Sequence, residues 1–130
     1  MNRFSTPAVQ RDADALADAH RRLSDCYAAG GRVEAARASC LAELAVRATL
    51  AAATPADSAR QEVLASGYGR LASLAEATGD RAAARAAMRS EVIIRGWLAA
   101  AQLAPGRLDA LADAQARLAE LTDLDEAAGH

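Results

Sequence analysis

The sequence contains no lysine: its fifteen basic residues are all arginine. Against 17 acidic residues they leave a net charge of −2, and the pI is near 5.6. There is thus no basic excess of the kind that draws a chain to nucleic acid or to an anionic membrane, and neither is expected as a partner. Arginine without lysine, in a chain where alanine is the commonest residue, points to a high-GC bacterial genome more than to a particular chemistry. No run of about 18 apolar residues is present to span a bilayer. The opening MNRFSTPAVQ lacks the apolar core of a signal peptide, so the expectation is a soluble cytoplasmic protein.

Strand signals are equally scarce. No stretch alternates apolar and polar residues with β-branched and aromatic enrichment, which leaves an all-α fold. Aromatics make up only 3% of the chain, although 52% of its residues are hydrophobic. That content over 130 residues suffices for one domain with a core. An alanine-rich core lets helices approach closely but buries little surface per contact. Stability then rests on many small contacts and on the helix propensity of alanine.

Residues that carry catalysis are few. His20 and His130 form no pair, and no Glu-x-x-His spacing exists for a metal. Cys26 and Cys40 flank Gly30-Gly31. In a hairpin centred there Cys26 faces the neighbourhood of Ala35 and Cys40 that of Arg21, too far apart for a bridge, so two reduced thiols in or near the core are expected. Neither thiol has a histidine at helical distance on its own face. The glycines lack the pattern of a phosphate loop. No cofactor or metal is implied, and the chain reads as a binding protein, not an enzyme.

The punctuation is regular. Thr6-Pro7 and Thr54-Pro55 each set a capping hydroxyl before a proline at the first helical position, and Ala104-Pro105 is a weaker version loosened by Gly106. Gly30-Gly31 and Thr78-Gly79-Asp80 mark helix ends, with Asp80 free to cap the next helix. Five long helices are predicted, over residues 7–29, 32–53, 55–77, 80–103 and 107–126. Steps of three and four join Leu16, His20, Leu23 and Tyr27; Leu64, Tyr68, Leu71 and Leu74 or Ala75; and Leu111, Gln115, Leu118 and Thr122. Each stripe is predicted to be a buried face.

These stripes superpose. Leu16, Leu64 and Leu111 form one column and Leu23, Leu71 and Leu118 another, with a period of about 48 residues, the separation of Gly31 from Gly79. DALADAHRRL from Asp14, EVLASGYGRL from Glu62 and DALADAQARL from Asp109 repeat one text. After the turns, Ala35/Ala83, Ala36/Ala84, Arg37/Arg85, Glu43/Glu91 and Arg47/Arg95 match in register.

The order large, small, aromatic, glycine, alanine is carried by Leu23-Ser24, Tyr27, Gly31 and Ala36. It returns as Leu71-Ala72, Ala75, Gly79 and Ala84, and opens again at Leu118-Ala119. In this the chain resembles the tetratricopeptide family, in a long-period bacterial form: the usual repeat is about 34 residues, so each unit carries about 14 more. The resemblance implies one domain, with a first repeat over 7–53, a second over 55–103, and a closing helix over 107–126 that completes an α-α superhelix. His20, Tyr68 and Gln115 stand where the family favours an early aromatic, and Ala75 replaces the later tyrosine.

The resemblance also implies that the first helix of each pair lines a concave groove. That puts Arg21, Arg22 and Asp25 of the first unit, Arg70 and Ser73 of the second, and Arg117 and Glu120 of the third among the partner-binding candidates. Arg22, Arg70 and Arg117 share one column and would stand about 9–10 Å apart on adjacent helices, able to take carboxylates bidentately. The plainer alternative is local pairing four residues back, Asp18 with Arg22 and Asp113 with Arg117, from which Arg70 is exempt because Ser66 is uncharged. Glu43 with Arg47 and Glu91 with Arg95 are expected to brace the second helices.

Val92-Ile93-Ile94 and Trp97-Leu98 wrap too far round one helix for a single buried stripe. Ile93 and Trp97 are therefore candidates for an oligomer contact, with cover by the fifth helix the equal alternative. Gly96 beside them is costly in a helix unless close approach demands it. The leading expectation is a small adaptor that holds a peptide or partner domain; the alternative is a self-associating structural protein, a homodimer through Val92–Leu98. A unit that works beside a larger array in a signalling protein is a third.

Overall fold

Thr6 and Pro7 start the chain's first helix as the sequence predicts, the Thr6 hydroxyl accepting from the Val9 amide at 3.3 Å. The computed structural model of the protein describes residues 4–128, with side chains described through residue 124. Over that span it is all-α: α1 Pro7–Ala29, α2 Val33–Ala53, α3 Ser58–Ala77, α4 Arg81–Ala101 and α5 Pro105–Ala128. Both hairpin turns close in the same way. The Arg32 amide reaches Tyr27 O and the Gly31 amide reaches Ala28 O; at the second turn Asp80 reaches Ala75 O and Gly79 reaches Glu76 O. This geometry needs a left-handed residue after the helix, and Gly31 and Gly79 supply it at φ 77° and 80°. Asp80 then caps α4 through the Ala83 amide.

The start of α3 departs from expectation. Thr54 closes α2 instead of opening α3, its hydroxyl donating to Leu50 O at 2.8 Å. Pro55 falls in a turn closed by the Asp57 amide on Thr54 O, and Asp57 caps α3 by accepting from the Arg60 amide. A carboxylate is the stronger cap, and a proline second in a turn already has the right φ. The last helix starts at Pro105, two residues before its predicted start, because a proline at the first helical position forfeits no hydrogen bond.

Among the described residues only helices consecutive in the chain pack backbone against backbone. Their interfaces are made of small residues: Ala17, Ala36, Ala65, Ala72, Ala75 and Ala84 are fully buried, with Cys40, Leu44, Leu64, Leu71, Met88 and Leu98 the larger pieces. Ser24 closes the first hairpin by donating to Ala36 O at 2.7 Å. Close approach is permitted by Gly67 and Gly69, not Gly96. A Cβ on Gly67 would collide with Leu44 Cδ2 and one on Gly69 would stand 2.7 Å from Glu91 Oε1, whereas at Gly96 the nearest atom, Leu111 Cδ1, is 4.0 Å away.

The leucine columns are not uniformly buried, which corrects one expectation. Leu64 and Leu71 are buried and Leu111 and Leu118 half-buried, but Leu16 is 50% and Leu23 44% exposed. The cause is position: α3 lies between α2 and α4, while α1 packs on α2 alone and buries Ala13, Ala17 and Ser24 against it. On α4, Leu98 is buried and Val92 and Ile94 half-buried, leaving Ile93 71% and Trp97 50% exposed.

Candidate functional site

The matched charges of the second helices lie inside the protein, between helices. Glu43 is fully buried and accepts from Arg47 Nε at 2.6 Å and from Arg70 Nη1 and Nη2 at 2.9 and 3.0 Å. Burial raises its pKa, but the hydrogen bonds from Arg70 and Arg47 outweigh this and hold the carboxyl below its ordinary value. Arg47 also donates Nη2 to Asp18 on α1 at 2.8 Å. One carboxylate thus ties α2 to α3, and one guanidinium ties α2 to α1.

The second unit repeats the pattern with changes. Arg95 Nε donates to Glu91 at 2.5 Å, and Arg95 Nη2 reaches the Ser66 hydroxyl at 3.3 Å. Ser66 is the repeat counterpart of Asp18. A second tie also recurs: Arg60 on α3 holds Asp14 on α1 at 2.9 Å, and Arg107 on α5 holds Glu62 on α3 at 3.4 Å.

These pairs line two clefts. The first, of about 230 Å³, is bordered by Asp14, Arg47, Leu50, Asp57, Arg60 and Val63. The second, of about 370 Å³, is bordered chiefly by Glu62, Ser66, Arg95, Leu98, Arg107 and Ala110. The linings correspond: Asp14 with Glu62, Arg47 with Arg95, Leu50 with Leu98, Arg60 with Arg107, Val63 with Ala110. Each cleft lies where a first helix, its second helix and the next first helix meet. In the first, Arg60 also pairs with Asp57 at 3.4 Å, and its Nη1 is buried without a hydrogen-bond partner among the described residues.

The candidates named from the sequence are dispersed by their partners. Arg70 is drawn inward by Glu43. Arg117 donates to Gly69 O, the Ser73 hydroxyl and Glu76 at 3.2, 2.9 and 2.9 Å. Arg22 bonds back to Asp18 O at 3.5 Å, and Arg21 lies 3.9 Å from Asp25, both exposed. Ser73 donates to Gly69 O, and Glu120 is exposed. Arg70 and Arg117 therefore tie helices together, and only Arg22 of the column stands in solvent. Sequence reasoning does not single out Arg47, Arg60, Arg95 and Arg107 as groove residues. A signal is present in their 47- or 48-residue spacing, but charge spacing does not say which way a side chain turns.

The two thiols are free; Cys40 is buried as expected, but Cys26 is exposed, because α1 packs on α2 alone and leaves its other face uncovered. Burial pushes the Cys40 thiol up to about 11. Among the described residues no group of three His, Cys, Asp or Glu side chains is arranged to hold a metal, and no helix is long and apolar enough to cross a membrane. His130 lies outside the described residues.

No protein-family profile, curated protein or solved structure matches the chain.

Proposed function

We propose that the chain is a helical-repeat binding module of tetratricopeptide-like kind, an adaptor that holds a peptide or partner domain across its two clefts and performs no chemistry of its own. The observation that carries this reading is the recurrence of the cleft: the same guanidinium, carboxylate and apolar positions line both. A surface that repeats at the period of the fold suits an extended ligand that itself presents similar groups at intervals. The reading includes a cytoplasmic setting.

Peptides selected by the protein from a random display library are the test. Val63→Trp with Ala110→Trp fills both clefts, and circular dichroism checks that the helices persist. Selected peptides should lose binding to the filled variant. Equal binding to both proteins would remove the clefts from consideration.

Self-association is the second reading, favoured by Ile93 and Trp97, exposed on one face of α4. Light scattering of the parent and of Trp97→Ala decides it. A parent dimer that the substitution dissociates supports this reading, and a monomeric parent ends it.

A further inference from the structure

The two clefts differ in one respect that bears on what they accept. In the first, the guanidiniums of Arg47 and Arg60 face four carboxylates, those of Asp14, Asp18, Glu43 and Asp57. In the second, Arg95 and Arg107 face two, those of Glu62 and Glu91. The lost pair are Asp18, replaced by Ser66, and Asp57, whose place in the repeat is held by Ala104.

Asp18 is the instructive loss. Its carboxylate takes a short bond, 2.8 Å, from Nη2 of Arg47. In the second unit the same nitrogen of Arg95 meets, among the described residues, only the Ser66 hydroxyl at 3.3 Å, near the outer limit of a hydrogen bond. The Arg95 side chain is 18% exposed against 9% for Arg47, and it borders the second cleft. Leu98, Ala104 and Ala110 supply apolar wall beside it.

We infer that the cleft between α3, α4 and α5 binds a carboxylate carried on a short apolar body, the ligand's oxygens taking the place at Arg95 that Asp18 fills at Arg47. At Arg47 that place is already taken by Asp18, so the first cleft offers such a ligand no site at this guanidinium. A free organic acid and the C-terminus of a peptide share this chemistry. Glu62 disfavours a dianion, which restricts the ligand to one negative charge at the cleft. The inference rests on the cleft reading above and assigns the second cleft a ligand.

The experiment is a titration followed by NMR at the arginine Nε–H and backbone amide resonances. The probes are butyrate, tri-alanine N-acetylated with a free C-terminus, and the same peptide amidated. Either acid should shift Arg95 and Ser66, and the amide should not. Butyrate acting alone identifies a free acid as the natural source, and the peptide acid acting alone identifies a chain terminus. Ser66→Asp installs the missing carboxylate and should weaken the acids roughly ten- to a hundredfold. Asp18→Ser should open the first cleft and add a second set of shifts at Arg47. Amide binding as tight as acid, shifts confined to other residues, or acid binding unchanged in Ser66→Asp would each overturn the inference. Selected peptides that occupy the clefts without a carboxylate at Arg95 would sink it and leave the binding module standing. Acid binding without any peptide selected would do the reverse.

Discussion

Glu43→Gln is the most informative single perturbation of this fold. The substitution keeps shape but removes the charge that two guanidiniums share, and it turns an amide N–H toward one of them. Removing one member of a buried ion pair costs about 3–5 kcal/mol, because the other is left unpaired in a poor solvent. Two features put this site at the lower end. Arg47 keeps Asp18 as a partner, and the Arg70 side chain is 26% exposed and so recovers some hydration. The expected loss is about 3 kcal/mol. In a chain of this size each kcal/mol moves Tm by roughly 3–5 °C, giving a fall of about 10 °C.

Glu91→Gln is the internal control, since Glu91 is bonded by Arg95 alone among the described partners and should cost roughly half as much. Thermal unfolding followed by circular dichroism reads both. Acid titration provides a second axis. The folded pKa of Glu43 is depressed, so its stabilisation is fully present above the unfolded value near 4.5 and is lost as pH falls through the lower folded value. The parent should therefore lose stability more steeply than Glu43→Gln below pH 4.5. Equal melting shifts for the two substitutions, or parallel acid profiles for parent and Glu43→Gln, would refute the claim that Glu43 is the central tie.

Glycine substitutions should have opposite signs. Gly67→Ala pushes a methyl into Leu44 and should cost about 1–3 kcal/mol, whereas Gly96→Ala has room and should stabilise α4 by up to about 1 kcal/mol; urea unfolding measures both. Thiol labelling of the native protein at pH 8 should modify Cys26 rapidly and leave Cys40 untouched until the protein is denatured, as mass spectrometry of the products would reveal. Asp57→Ala should lower stability by about 1 kcal/mol through the lost cap, and Thr54→Ala by less, in the same unfolding assay.

Helix number, order and both hairpin turns were legible because they depend on local chemistry: Thr6-Pro7, the two left-handed glycines and the Asp80 cap act within a few residues of themselves. The recurrence of text at about 48 residues belongs to the sequence itself and needs no coordinates. The fate of long side chains was not. Arg70 looked free for want of a charge at Ser66, yet its partner is 27 residues back on α2. Glu43 and Arg47 looked like a brace along one helix, yet Glu43 also takes the Arg70 guanidinium from α3, which spacing along a helix does not show. Leu16 and Leu23 carry the same letters as Leu64 and Leu71 but sit on a helix with one packed neighbour, and periodicity does not count neighbours.

The first helices of successive units meet through side chains: Asp14 with Arg60, Glu62 with Arg107 and Glu76 with Arg117. Long ionic struts of this sort are weakened by salt, whereas the buried apolar contacts between consecutive helices, α2 with α3 and α4 with α5 included, are not. Salt should therefore loosen α1 from α3 and α3 from α5 before it disturbs that core. A guest settling at Arg107 would compete with Glu62 for its guanidinium and so act directly on the strut between α3 and α5.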